Sequence, residues 1–266
     1  MELLYITNKI EEALNAEEAG VDIIFVDLEI NGKIERQGHL DTVISNHSLV
    51  DILKIRKVLK KSRILTRVNP INSESQLEIN KAIENGTDII MLPMFKTVEE
   101  VKKFIKIVDS RVETCLLLET SEAFCRIDEI LEIEGIDRIH IGLNDLHLSL
   151  GLDFMFECLS CGIVDILVEK IKKNKKIKYG FGGIARLDEG ELSSNYILKE
   201  HVRLQSSMVI LSRSFKKENN NLKVEVKKIR EYYNKIDAND KKLLNENKKE
   251  IIKKVKEVLR NKREKK

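Results

Sequence analysis

The sequence predicts an α/β fold, a (β/α)8 barrel of the TIM type followed by a C-terminal helical extension. Three observations predict it. Eight short apolar runs of β character alternate with stretches of helical period across residues 1–215. Runs such as IIFVDL at 23–28 and DIIMLP at 88–93 are almost continuously apolar, which suits parallel strands covered by helices on the outside. No Gly-x-Gly-x-x-Gly follows the first run, which disfavours the alternative of a doubly wound open sheet.

In order, the strands are expected at Leu3–Ile6, Asp22–Leu28, Arg63–Val68, Asp88–Leu92, Thr114–Leu118, Arg138–Gly142, Tyr179–Gly182 and Ser207–Leu211. Helical spacing places helices at Asn8–Ala19, Ser48–Lys60, Glu74–Asn85, Thr97–Val108, Ser121–Glu132, Val164–Lys173 and, shorter, near Tyr196–Arg203. Gly20-Val21-Asp22, Gly86-Thr87-Asp88 and Gly135-Ile136-Asp137 each end a helix with glycine and lead into a strand, a recurring αβ turn. From Lys216 the pattern changes. Leu222–Ile236 and Asp240–Arg260 have helical spacing, through Val226, Ile229, Tyr233 and Ile236, then Leu244, Ile251, Val255 and Val258. Asp237-Ala238-Asn239 supplies a break and a new N-cap, and the final RNKREKK is expected to fray. The expected division is a barrel domain over 1–215 and a Lys-rich helical extension over 216–266.

Composition narrows the class. With 42% hydrophobic residues the chain can build a core, and its 34% charged residues are of mixed sign, which excludes global disorder. The net charge of +3 averages two unlike regions. Residues 1–215 hold 28 Lys+Arg against 35 Asp+Glu, whereas residues 216–266 hold 19 against 9. No apolar run approaches the roughly 18 residues of a membrane span. The start, MELLYITNKIEEALNAEEAG, lacks the basic opening and small-residue cleavage site of a signal peptide. The four cysteines form no disulfide framework, so the expectation is a cytoplasmic protein with reduced thiols. Cys158-Leu-Ser-Cys161 has neither a second pair nor histidine neighbours for zinc, and reads as two helix cysteines.

In such a barrel the chemistry sits at the C-terminal strand ends. Those ends carry Asp27 and Glu29, then the polar loop INGKIERQGHLDTVISNH; Arg67-Val68-Asn69-Pro70; Pro93-Met94; Glu119-Thr120; Gly142-Leu143-Asn144-Asp145; Gly180-Phe181-Gly182-Gly183 with Arg186 beyond; and Ser212-Arg213. Glu119 and Asp145, on adjacent ends, point into one rim and repel each other unless a hard cation such as Mg2+ relieves them. Arg67 offers a planar fork for a substrate carboxylate. A metal plus an arginine is what an enolate intermediate needs. Structural alternatives stay open here: both acids as N-caps or first-turn residues favoured by the helix dipole, and Arg67 as a rim salt-bridge partner. The run Gly-Phe-Gly-Gly-Ile-Ala-Arg is a candidate anion site, with Gly183 giving backbone N–H groups and Arg186 or Arg213 clamping, or a tight turn packed on the last strand.

The succession DIIFVDLE, TRVNP, DIIMLPM, LLLET and GIDRIHIGLNDLHLSLG resembles the HpcH/HpaI aldolase and citrate lyase β-subunit family. The resemblance runs from about Gly20 to Gly151, with barrel completion to Ser214, and its most specific piece is I-G-x-N-D-L-x-x-S-L-G. It implies a (β/α)8 barrel, commonly oligomeric, in which Asp145 and Glu119 bind Mg2+, Mn2+ or a similar divalent cation and Arg67 holds a 2-oxo acid. Three positions depart from the pyruvate aldolases. Their D-G-E-H segment, whose histidine aids proton transfer, is Asp27-Leu28-Glu29-Ile30; their pyruvate-touching glutamine is Leu117; their proline before Asn-Asp is Leu143. Asp27-Leu28-Glu29 is closer to the D-L-E-D of the citrate lyase branch, whose substrate is a thioester. The metal site therefore carries over better than the acid/base machinery. Glu29, or His39 or His47 from the loop, is the candidate proton-transfer group, and His147 is placed to orient a carboxylate or water.

The expected function is a metal-dependent carbon–carbon lyase of aldolase type, acting through a metal-stabilised enolate of pyruvate or an acyl thioester. Arg67, Glu29 and His47 are the catalytic candidates. Arg67, Asn144, Gly183 and Arg186 are the substrate-binding candidates, and Glu119 and Asp145 the metal ligands. The alternatives are a hydrolase or decarboxylase acting on a related 2-oxo acid or thioester, and a non-enzymatic binding protein using the basic tail. Expected partners are a small 2-oxo acid or thioester and further copies of the chain in a homo-oligomer, with no membrane. Sparse aromatics and the lack of a recognition motif speak against nucleic acid. The lysine stems of the tail are instead expected to pack on the barrel or on a neighbouring subunit.

Overall fold

The computed structural model describes residues 1–30, 47–216 and 221–264. Its eight strands are β1 (Glu2–Ile6), β2 (Ile23–Asp27), β3 (Arg63–Arg67), β4 (Ile89–Leu92), β5 (Glu113–Leu118), β6 (Arg138–Ile141), β7 (Lys178–Ile184) and β8 (Met208–Leu211). They close in sequence order into a parallel barrel, with β8 returning to β1 through pairs such as Tyr5↔Leu211. All eight lie where the apolar runs place them, because a strand covered on both faces has to be apolar at nearly every position.

The Gly-X-Asp turns have a common mechanism. Gly20, Gly86 and Gly135 adopt φ of +88°, +98° and +90°, a left-handed conformation that stops the helix directly at Gly20 and Gly86 and turns the chain after the helix end at Gly135. The aspartate two residues on then reaches the neighbouring strand. Asp22 accepts the Leu3 N–H at 2.7 Å, Asp88 the Ile64 N–H at 2.7 Å and Asp137 the Thr114 N–H at 2.8 Å. The same motif thus clips β1 to β2, β3 to β4 and β5 to β6.

Alternate residues of the strands face the lumen. Its middle is apolar: Leu4, Ile23, Phe25, Leu65, Ile89, Met91, Cys115, Leu117 and Met208 form one buried cluster. Its N-terminal end is closed by ions. Arg138, with no exposed surface, meets Glu2 at 2.5 Å and Glu113 at 2.6 Å, and Arg63 meets Glu113 at 2.9 Å. A larger core fills the space between strands and outer helices.

Several local expectations are corrected. The stretch expected as one helix over 121–132 is two, Ser121–Cys125 and Ile127–Leu131, broken at Arg126 with φ −102° and ψ 11°. β7 continues to Ile184, so Gly182 and Gly183 lie inside the strand, at a register shift against β8, and not in a loop beyond it. Helix Leu143–Ser149 places Asp145 in a first turn, one of the alternatives left open. Helix Glu157–Ser160 carries Cys158 as expected, and the 3-10 turn at Arg213–Lys216 was not anticipated. The tail forms helices Leu222–Lys235 and Lys241–Glu264, so the end expected to fray is helical to Glu264.

Leu244, Asn247, Ile251 and Val255 give the last helix a buried face at helical spacing. That face packs on helices Ser194–Leu204 and Glu157–Ser160. Lys248 bonds Asp165 at 2.7 Å, and Asn247 donates to the Tyr196 carbonyl at 3.0 Å and to Glu200 at 3.2 Å. The lysine-rich tail is thus seated on the barrel's own helices. All four cysteines are free thiols. Among the described residues no helix is long and apolar enough to cross a membrane.

Candidate active site

A cavity of about 770 Å³ opens at the C-terminal strand ends, with Asp27, His47, Arg67, Glu119, Asn144, Asp145 and Gly183 in its wall. Asp27 and Arg67 are register partners on β2 and β3, and their side chains meet in the lumen. Arg67 Nε and Nη2 donate to the two Asp27 oxygens, each at 2.8 Å, and Nη1 lies 3.1 Å from Glu29 Oε2. The guanidinium also stands over the Phe25 ring, 5.6 Å from its centroid. Burial alone would loosen its proton; the Asp27 and Glu29 carboxylates outweigh that and raise its pKa. Two hydrogen bonds to Asp27 and the ion pair with Glu29 fix this guanidinium in the cavity wall.

Glu119 follows β5 and is 2% exposed. Its Oε1 accepts the Met94 N–H at 3.1 Å. Gly142, after β6, makes room for it: a Cβ there would stand 2.8 Å from Glu119 Oε2 and 2.9 Å from its Cβ. Burial, and then the charge of Asp145, push the Glu119 carboxyl well above its usual range, with Arg67 offsetting only part of this. Asp145 and Asn144 occupy the first turn of helix Leu143–Ser149, anchored by buried Leu143 and Leu146. Leu148 is 40% exposed, because a residue two positions on from Leu146 lies on the opposite side of the helix.

The proton-transfer candidates are sorted by their hydrogen bonds. The Asp27 N–H donates to His47 Nδ1 at 2.9 Å, so in the neutral ring the proton sits on Nε2. His47 Nδ1 is thus engaged by the backbone of β2. Glu29 is 2% exposed, lies outside the cavity wall and has its carboxylate on Arg67, so it positions the guanidinium. His39 lies outside the described residues. His147 turns Nδ1 to the Leu143 carbonyl of its own helix, at 3.3 Å. Gly183 is in the cavity wall, but Arg186 is not: the longer β7 carries it past the rim, where its Nε meets Glu189 at 3.2 Å. The expected Arg186 clamp is thereby corrected.

Asp27, Glu119 and Asp145 line the cavity with Arg67, Glu29 lies behind the wall on the same guanidinium, and Glu12, Lys9, Arg213 and Lys216 also line the wall. Among the described residues no three His, Cys, Asp or Glu side chains gather into a complete metal cage. Two carboxylates with room beside them nevertheless suit Mg2+, which keeps several positions for water and substrate oxygens. The raised Glu119 is the structural sign that positive charge fits there.

Among the wall residues that were not candidates is His140 on β6. It is 1% exposed and its Nε2 lies 3.0 Å from the Gly182 carbonyl. Its signal in the sequence is a polar residue at a lumen-facing position of an otherwise apolar strand.

Comparison with known proteins agrees with this geometry. A curated relative, the hydroxypyruvate/pyruvate aldolase of Rhizorhabdus wittichii, is 35% identical over 81 residues, 28% of this chain. The match spans only 32% of that relative's length. Two solved structures share the fold. The HpcH/HpaI aldolase of Desulfitobacterium hafniense superposes with a TM-score of 0.61 at 15% identity, covering 79% of this chain and 85% of that one. A HpcH/HpaI aldolase/citrate lyase family protein of Burkholderia cenocepacia gives 0.62 at 12% identity, covering 87% and 92%. The family model described as HpcH/HpaI aldolase/citrate lyase matches residues 4–155, more than half of the chain and both carboxylates of the rim. The chain belongs to the HpcH/HpaI aldolase/citrate lyase family.

Proposed function

We propose that the chain is a divalent-metal-dependent carbon–carbon lyase of aldolase type, working through an enolate of pyruvate or of an acyl thioester. The observation that carries this is the pairing of a buried, charge-starved Glu119 and Asp145 with an arginine fixed across the same cavity. Arg67, in the cavity wall, receives the substrate carboxylate or the carbonyl of a thioester. Asp27 and Glu29 hold the plane of that guanidinium, so little ordering is left for the moment of reaction. Glu119 and Asp145 hold the cation, Mg2+ or Mn2+. Such an ion supplies Lewis-acid stabilisation of developing negative charge on oxygen. His47, held by the Asp27 N–H through Nδ1, lines the same cavity. Leu117 leaves the lumen apolar below the reacting carbon, which keeps water from quenching a carbanion. From the family alone we also infer a homo-oligomer, which sedimentation tests.

The test is pyruvate release from a 4-hydroxy-2-oxo acid with Mg2+ and with chelator. Turnover is expected to need the cation and to fall by about 10²-fold or more in Glu119→Ala and Asp145→Ala proteins that still fold. Full turnover in either variant rejects the reading. Product analysis over a panel of 2-oxo acids and thioesters separates bond cleavage from hydrolysis or decarboxylation.

A further inference from the structure

The cavity wall has a second charged pole that the chemistry above leaves unused. Lys9 follows β1, Arg213 and Lys216 follow β8, and all three line the cavity that holds Arg67, Glu119 and Asp145. β1 and β8 are neighbours in the ring, and β1 stands as far from β5 as eight strands allow. The cations therefore gather across the mouth from Glu119. One carboxylate organises two of them. Glu12, on the first helix, accepts the Thr7 hydroxyl at 2.7 Å and meets Lys9 Nζ at 3.0 Å and Lys216 Nζ at 3.4 Å. Burial pushes the Glu12 carboxyl up, but the hydrogen bonds from Thr7 and Lys9 and the two lysine charges outweigh it and hold the group below its usual range. Lys216 also stands over the Tyr5 ring, 5.3 Å from its centroid. Among the described wall residues on this side, three cations thus stand against one carboxylate, a surplus of two positive charges.

Cavity size and this surplus define what the pole would take. About 770 Å³ suits a ligand much larger than the three carbons of pyruvate, and Ile6, Leu117 and Ile210 in the same wall give apolar cover to a carbon chain. A carboxylate would neutralise one of the two surplus charges. A phosphate monoester, at about −1.5 to −2 near pH 7, neutralises both, and lysine serves such a group as a mobile point charge. We propose that Lys9, Arg213 and Lys216 form a subsite for a phosphate monoester, carried by the aldehyde partner of the aldol step at the end away from its carbonyl. The assignment to the aldehyde rests on the lyase reading above; the phosphate subsite does not. In that step the pyruvate methyl gives up a proton to base, its carbon bonds the aldehyde carbon, and the aldehyde oxygen takes up a proton. The phosphate stays on the product. Glu12 is a positioning residue, holding two ammonium groups in place before the ligand arrives.

The experiment uses the full chain with Mg2+. Binding is measured by calorimetry with glycerol 3-phosphate, which has no carbonyl to react, and with 3,4-dihydroxybutyrate, which puts a carboxylate where the phosphate stands. Aldol addition of pyruvate is followed with glyceraldehyde 3-phosphate and with glyceraldehyde. Wild-type protein is expected to bind the phosphate probe about tenfold more tightly than the carboxylate, and to show a KM for the phosphorylated aldehyde lower by a similar factor. Lys216→Gln should weaken the phosphate probe and raise that KM by about tenfold, with kcat and the KM for glyceraldehyde moving much less, and Lys216→Arg should recover most of the loss. Lys9 is the more exposed of the two lysines, so Lys9→Gln should cost about threefold. Thermal melts verify that each variant folds. Equal affinity for the two probes, or phosphate binding that no substitution at Lys9 or Lys216 weakens, as a phosphate resting on the cation alone would give, overturns the proposal. Phosphate binding that depends on Lys216, without turnover of any aldehyde, rejects the lyase reading and keeps the subsite. Turnover indifferent to the phosphate does the reverse.

Discussion

The two ends of β5 carry glutamates of opposite character. At the floor, burial pushes Glu113 up, but hydrogen bonds from Arg138 and Arg63 outweigh it and hold the carboxyl below its usual range. At the mouth, burial and Asp145 drive Glu119 well above that range, and Arg67 does not compensate. The floor sets Arg63 and Arg138 against Glu2 and Glu113, so its charges balance. At the mouth, Arg67 is already committed to Asp27 and Glu29, and Glu119 stays raised although Lys9, Arg213 and Lys216 also line the cavity wall. An ion cluster that only has to close a barrel can satisfy itself, whereas one that has to receive a charged ligand is left incomplete.

The difference can be broken from either end. The largest effect on folding is expected from Arg138→Met. It strands Glu2 and leaves Glu113 to Arg63 alone, and should cost about 3 kcal/mol by urea denaturation, the low end for a broken buried pair because both glutamates keep some solvent. Turnover per folded molecule should be unchanged. At the mouth, Arg67→Lys should lower kcat/KM by about 10²-fold with a smaller change in stability, because a single ammonium cannot serve Asp27, Glu29 and a substrate carboxylate in one plane.

Acid gives a third, smaller test. His140 and His201 are buried with pKa values lowered to about 4 and about 3, mainly by burial. In the unfolded chain each takes its proton near pH 6.5. Between those values the unfolded state binds more protons, so stability must fall as pH falls from about 6.5 towards 4. The slope is at most about 1.4 kcal/mol per pH unit for each histidine. His201 stacks on Phe181 outside the strand wall, with ring centroids 3.9 Å apart, so His201→Phe should flatten the slope by one proton's worth. The smallest effect is expected from Glu119→Gln. Removing a carboxyl that burial and Asp145 disfavour should leave cation-free protein as stable as wild type or about 1 kcal/mol more so, while turnover is lost. A large destabilisation there would make the mouth a structural cluster like the floor.

Much of this was legible in the chain. Strands buried on both faces leave unbroken apolar runs, and the residues that close them, Arg67, Glu119 and the Asn144-Asp145 pair, stand out against them. The reading failed where a residue's role depends on a partner distant in sequence. Nothing in the loop shows that the Asp27 N–H will occupy His47 Nδ1, or that Glu29 will turn to Arg67. Arg186 was misplaced because glycines inside a bulged strand look the same as glycines in a loop. The alternating leucines after Asp145 have strand periodicity but lie in a helix, whose short length leaves little pattern to read.

The aspartate clips of the Gly-X-Asp turns bear on how the barrel opens. They tie three consecutive pairs of strands, and β7–β8 has a register shift in place of a fourth clip. The amides of Leu3, Ile64 and Thr114 should therefore be among the slowest to exchange with deuterium, and those flanking the β7 bulge among the faster of the sheet. The quarter that loosens first is the one bearing Gly182 and Gly183 beside the cavity. Breathing of the sheet would then concentrate where a ligand has to enter, while the other three quarters keep their shape.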